Sequence, residues 1–200
     1  METIYKRRSN RHFVKNGLEK SVLDKILLAG MQAPSPKNDQ PWHFLVICEE
    51  EQKKYVAEIL ERQLRILQEE NTLLGNSRPD ITAAFETARV LKEASAIVFV
   101  YLETGVYEIH DDHVKWELNA RDVECTHLMA IGAAIQNMLL EATENGIDSL
   151  WIGDFFYAYN QLKKYLGQEG CMMAAVALGY GDEGEYKTTR KSLNETVSWF

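Results

Sequence analysis

Cysteine is scarce and badly placed for any covalent scaffold. Cys48, Cys125 and Cys171 are odd in number, far apart and outside any C-x-x-C spacing, which excludes a disulfide framework and a structural zinc site and fits a reducing, cytoplasmic setting. No apolar run is long enough to span a membrane, and the first residues, M-E-T-I-Y-K-R-R-S, lack the apolar segment of a signal peptide. Positive charge is short as well: 22 Lys and Arg face 30 Asp and Glu, leaving a net charge of -8 and a pI near 5.2. General binding to nucleic acid or an anionic membrane needs the opposite balance, so any phosphate site must be local. The chain also shows no Ser-His-Asp, Cys-His, paired-carboxylate or zinc-ligand pattern. We therefore expect no catalytic side chain and no metal ligand. His110-Asp-Asp-His113 lacks a helical i, i+4 pair and a third ligand of defined spacing, and the stretch 103–124 reads as a solvated loop or lid.

What is present suits one domain. With 200 residues, 46% of them hydrophobic, the chain can build a core without staples. Its most apolar part runs from about Thr126 to Asn145, where between Leu128 and Leu140 only Gln136 and Asn137 are polar. This predicts a helix buried on nearly all sides. Ala130, Gly132, Ala133 and Ala134 would admit a second helix or a flat ligand close to its backbone. Asn145-Gly146 stops the helix, and Ile147–Ile152 reads as a strand ending at Gly153, where backbone N–H groups could face a cofactor.

The remaining elements follow from periodicity. Ser21-Val-Leu-Asp24 reads as a capping box opening a helix that stops at Ala33-Pro34. Phe44–Cys48, Ala96–Leu102 and Met172–Leu178 read as buried strands. Amphipathic helices are expected from Glu49 toward Asn71 and from Ile81 to Glu93, with Asp80 as a cap, and a short helical piece over Leu162–Leu166.

Two stretches carry chemistry. The first is the densest positive charge in an acidic chain: Lys6, Arg7, Arg8, Arg11 and Lys15, with Ser9 and Asn10 between them. Forked guanidinium donors around a hydroxyl suit a phosphate monoester, although a solvated basic end would have the same composition. The second runs from Pro34 to Phe44, where Pro34, Pro36 and Pro41 stiffen a loop that frames Ser35, Asn38 and Gln40. Such side chains both donate and accept, which suits reading the edge of a heterocycle; a plain helix-to-strand connector is the simpler alternative.

Taken together, Arg7-Arg-Ser-Asn-Arg-His-Phe13, Ala33-Pro-Ser-Pro-Lys-Asn-Asp-Gln-Pro-Trp-His-Phe44, Ala133-Ala-Ile-Gln-Asn-Met-Leu-Leu140, Leu150-Trp-Ile-Gly153, Ala177-Leu-Gly-Tyr-Gly181 and Arg190 resemble the FMN-dependent nitroreductase family over essentially the whole chain. The resemblance implies a single α+β domain, a mixed and mainly antiparallel sheet flanked by helices around a buried central one, in an entwined homodimer. It implies FMN at the subunit interface, with Arg7, Ser9, Arg11 and Arg190 at the phosphate and ribityl end. Pro34, Ser35, Pro36 and Asn38 would come from the other subunit, and Trp151, Ile152 and Gly153 would lie beside the isoalloxazine ring. The tail over 182–200 would pack on the partner. The implied activity is ping-pong transfer of hydride from NAD(P)H to a nitroaromatic, quinone-like or related acceptor. A reductive dehalogenase, a flavin-modifying branch of the same fold, or a flavin-binding protein without turnover are the alternatives. Gly181 stands where the family often has proline, and Thr188 where some relatives have a second phosphate-binding lysine. Arg89 or a residue in 62–65 would meet the pyrimidine edge of the flavin.

Overall fold

A computed structural model describes residues 2–14, 17–70, 81–103, 120–182 and 189–200. Most of the expected lid, His110 to His113, the Asp80 cap and Thr188 lie outside the described residues. In chain order the elements are α1 (Thr3–Lys6), β1 (Phe13–Val14), α2 (Lys20–Met31), β2 (Trp42–Ile47), α3 (Glu50–Glu70), α4 (Thr82–Glu93), β3 (Ala96–Leu102), α5 (Ala120–Glu144), β4 (Asp148–Ile152), α6 (Tyr159–Leu166), β5 (Cys171–Gly181) and α7 (Leu193–Thr196). Two 3₁₀ turns, Pro36–Asn38 and Asp154–Ala158, complete the described elements.

The sheet order is β1-β5-β3-β2, with β4 also paired to β5, and every pairing between named strands is antiparallel. Among the described residues the parallel component is an isolated bridge between Ser9 and Ser149. Strand β3 is buried at every position, because both of its faces are covered. Ile97, Phe99 and Tyr101 point into a core shared with α3 and α4. Ala96, Val98, Val100 and Leu102 point into a second core shared with α2 and α5. The second core is tight where α2 crosses α5: a Cβ on Gly30 would stand 2.8 Å from the Met138 side chain.

Helix α5 differs from expectation in one respect. Ala130, Ala134, Ile135, Met138 and Ala142 are buried, but Met129 is 67% exposed and Gly132, Ala133, Gln136 and Leu140 are only partly covered. Their spacing is that of one helix face, so a single chain leaves an apolar stripe of its central helix open. The expected capping box of α2 is also not formed. Glu19 is the N-cap without a side-chain cap bond, and Lys20 instead pairs with Asp24 at 2.6 Å one turn on. The N-terminus is ordered by α1 and by β1 on β5, short elements whose burial depends on distant partners rather than on local periodicity.

Candidate functional site

The basic segment is held against β4. Asn10 N–H donates to the Ser149 carbonyl at 3.0 Å beside the Ser9–Ser149 bridge, and three residues later the chain enters β1, where Phe13 pairs with Gly181. Ser9 and Arg11 are exposed, and Arg7 and Arg8 are partly exposed. Arg8 donates to the carbonyls of Tyr5 and Arg7, fastening its guanidinium to α1. Among the described residues no carboxylate pairs with Arg7, Arg8 or Arg11. Their positive charge is therefore concentrated and unneutralised, as an anion site requires.

The same strand carries the other expected contacts. From Ser149, β4 runs through Trp151, which is 45% exposed, and Ile152, which is 2% exposed, to Gly153. Ile152 faces the core and can offer a ligand only its backbone. Gly153 is exposed, and a Cβ built on it would meet nothing within 4 Å, so its backbone is open to a flat ligand. Trp151 lies on the α5 side of the sheet, near Gly132. The structure thus seats Ser9 and Asn10, which lie between Arg8 and Arg11, against the strand that ends at Trp151, Ile152 and Gly153.

Helix α4 ties both ends of this arrangement down, and the sequence offered no sign of it. Thr87 donates to Asp154, the residue after Gly153, at 2.6 Å. Arg89, two residues further, donates to the Arg11 carbonyl at 3.2 Å while paired with Glu86 and Glu93 at 2.9 and 2.6 Å. Arg89 had been expected as a possible contact for the flavin ring edge; its guanidinium is engaged by these three groups.

The proline loop lies elsewhere. Gln40 N–H donates to Ser35 Oγ at 3.0 Å and Asn38 N–H to the Ser35 carbonyl at 3.1 Å, while Pro34 and Pro36 bracket the entry to the 3₁₀ turn. Lys37, Asn38 and Gln40 all have left-handed backbone, with φ of 51°, 60° and 49°, an unfavourable conformation that concentrates at ligand-binding loops. The loop is anchored by Asp39 to His127 at 3.4 Å and by the Pro41 carbonyl to Glu103 N–H at 2.9 Å. The N-terminal segment is anchored by Thr3 to Glu144. From His127 to Glu144 along α5 is about 25 Å at 1.5 Å per residue, so one chain holds its basic segment and its proline loop at opposite ends of the central helix. Arg190 is not brought to the cluster either. It donates to its own neighbour, the Thr189 carbonyl, at 2.9 Å, and all of 189–200 is exposed.

Comparison with known proteins gives one consistent picture. The model of the nitroreductase family matches residues 4–180. A protein of Archaeoglobus fulgidus, provisionally named NADH dehydrogenase/NAD(P)H nitroreductase, is 28% identical over 90% of this chain and 84% of its own. A BluB-like flavoprotein from Clostridium difficile superposes with a TM-score of 0.75 at 26% identity, covering 100% of this chain and 97% of that one. A provisionally named nitroreductase from Desulfovibrio desulfuricans, solved in complex with FMN, superposes at 0.70 with 24% identity, covering 98% and 93%.

Proposed function

Since the chain belongs to the nitroreductase family, we propose that it is an FMN-dependent NAD(P)H oxidoreductase acting on nitroaromatic, quinone-like or related small acceptors. The observation that carries this reading is the bond from Asn10 to Ser149, which joins an unneutralised arginine cluster to the strand that ends at an open-backed glycine. Those features fit the two ends of a phosphorylated flat heterocycle, and the relative solved with FMN shares the fold. Arg7, Arg8, Ser9 and Arg11 would hold the phosphate, and Trp151, Ile152 and Gly153 would line the ring through backbone and one indole. When bound, FMN supplies the two-electron carrier that takes hydride from NAD(P)H and passes it to the acceptor. The protein orients the partners and excludes water.

The same reading needs a second copy. Pro34, Ser35, Pro36, Asn38 and Gln40 sit at the far end of α5 from the basic segment of their own chain, so they would serve the ligand of a partner. The open stripe of Met129, Ala133, Gln136 and Leu140 would form the seam of the homodimer. The tail would then lie on the partner, bringing Arg190 to its phosphate. Leu193, Trp199 and Phe200 are 64%, 86% and 131% exposed, an arrangement unsuited to an isolated chain. A groove of about 700 Å³ between α1, α2 and α5, lined by Ile4, Leu28, Leu140, Glu141 and Glu144, offers an apolar floor for the aromatics that follow Arg190. Three exposed free thiols fit the reducing cytoplasm, and no helix among the described residues is long and apolar enough to cross a membrane.

The test is a visible spectrum of the purified protein with the chromophore identified by chromatography, followed by anaerobic addition of NADH or NADPH and then of a nitro compound. About one FMN per chain, bleached by a nicotinamide and restored by the acceptor, is expected. Reduction by dithionite but by neither nicotinamide would leave only a flavin-binding protein, and loss of FMN during turnover would mark a flavin-modifying enzyme.

A further inference from the structure

Within the exposed basic segment one residue is turned inward. Asn10 is 3% exposed, while Ser9 and Arg11 on either side of it are exposed. Asn10 thus points into the body of the protein while both neighbours point to solvent. Its backbone N–H donates to Ser149 at 3.0 Å, and its Oδ1 accepts from His12 N–H at 2.8 Å, closing an Asx turn.

The amide nitrogen of Asn10 has a seat made for it. A Cβ on Gly181 would stand 1.8 Å from Asn10 Nδ2 and 2.5 Å from Asp148 Oδ2, so no side chain at 181 can coexist with this arrangement. Asp148 in turn accepts the Gly181 N–H at 3.1 Å. Proline at 181 would both fill the seat and remove that donor. The glycine at this position and the asparagine at position 10 are therefore two halves of one contact.

We propose that Asn10 is a positioning residue for the phosphate anchor. Too buried to touch a ligand, it acts through Ser9 and Arg11, whose direction its seat against Gly181 sets, and so it determines how well the protein distinguishes FMN from the same ring without its phosphate. This rests on the reading of Arg7 to Arg11 as the phosphate site.

The experiment titrates the flavin-free dimer with FMN and with riboflavin, following flavin fluorescence, for the natural protein, Asn10→Ala, Gly181→Ala, the double variant, and Arg7→Ala/Arg11→Ala. Asn10→Ala and Gly181→Ala should each weaken FMN about tenfold or more, on the scale of one charge-assisted contact, and leave riboflavin within about twofold. The double variant should weaken FMN by less than the product of the two single effects, because with Asn10 truncated the methyl at 181 meets only the Asp148 carboxylate. Gly181→Ala keeps the asparagine chemistry and decides the matter if Asn10→Ala does not fold. Equal weakening of both flavins in the single variants would make Asn10 a purely structural residue and overturn the inference. If Arg7→Ala/Arg11→Ala abolishes the preference for FMN while the Asn10 and Gly181 variants keep it, the inference fails and the phosphate site stands. If the arginine variant also keeps it, both fall together.

Discussion

At the scale of single residues, Tyr101 shows what a continuous buried strand costs. Its hydroxyl lies among core side chains of β3 and has no hydrogen-bond partner among the described residues. Burial, and then the neighbouring Tyr159, push its phenol up from 10.0 to about 12. The sign follows from linkage. The unfolded chain loses this proton at a lower pH than the folded one, so the contribution to stability is complete below the unfolded value and is lost as pH rises through the folded one. Replacing Tyr101 by Phe should raise stability at neutral pH by roughly 1 kcal/mol, since an unpartnered buried hydroxyl is removed. It should also flatten the decline between pH 10 and about 12, as measured by chemical denaturation across that range.

Among the elements, α4 acts as the strut of the candidate site. Its apolar face, with Ala84, Ala88, Val90 and Leu91, is buried in the core with α3, which makes it a fixed support. From that support Thr87 holds the turn after Gly153 and Arg89 holds the carbonyl of Arg11. Thr87→Val preserves shape and removes the bond to Asp154. It should lower stability by roughly 1–2 kcal/mol, somewhat under the usual value for a bond to a charged acceptor because Asp154 is partly solvated. Thermal denaturation tests the stability, and the flavin spectrum of the variant should shift as the turn beside Gly153 loosens. An unchanged spectrum would mean that the turn does not border the ring.

For the whole molecule, the deciding feature is how much of one chain stays open. The proline loop and the basic segment occupy opposite ends of α5, and the tail is exposed throughout. In the proposed homodimer, deleting residues 189–200 should raise the dissociation constant by about 100-fold or more, because burying Trp199 and Phe200 would contribute roughly 1.5–3 kcal/mol each. Sedimentation velocity over a dilution series measures this. A dimer constant unchanged by the deletion would mean that the tail does not cross to the partner.

The elements that the sequence by itself determined are those whose physics is local and periodic. The helix from Thr126, the strands at Phe44, Ala96 and Met172, and the two amphipathic helices are visible because each repeats an apolar pattern at its own period. Arg7, Ser9, Arg11 and the proline loop stand out in the sequence as candidates, since guanidinium clusters and stiff amide-bearing turns are written in consecutive residues. Only the tertiary structure decided what those residues meet. Asn10 appears in sequence as one more polar residue of a basic run, and its burial follows from Gly181, which is distant in the chain. Thr87 and Arg89 looked like ordinary positions on an amphipathic helix until β4 and the N-terminal segment were laid against them. Helix α5 reads as buried on nearly all sides because its composition is apolar on nearly every face, whereas the fold of one chain covers only part of it. Contacts between distant segments depend on the chain's path, and no local period encodes that path.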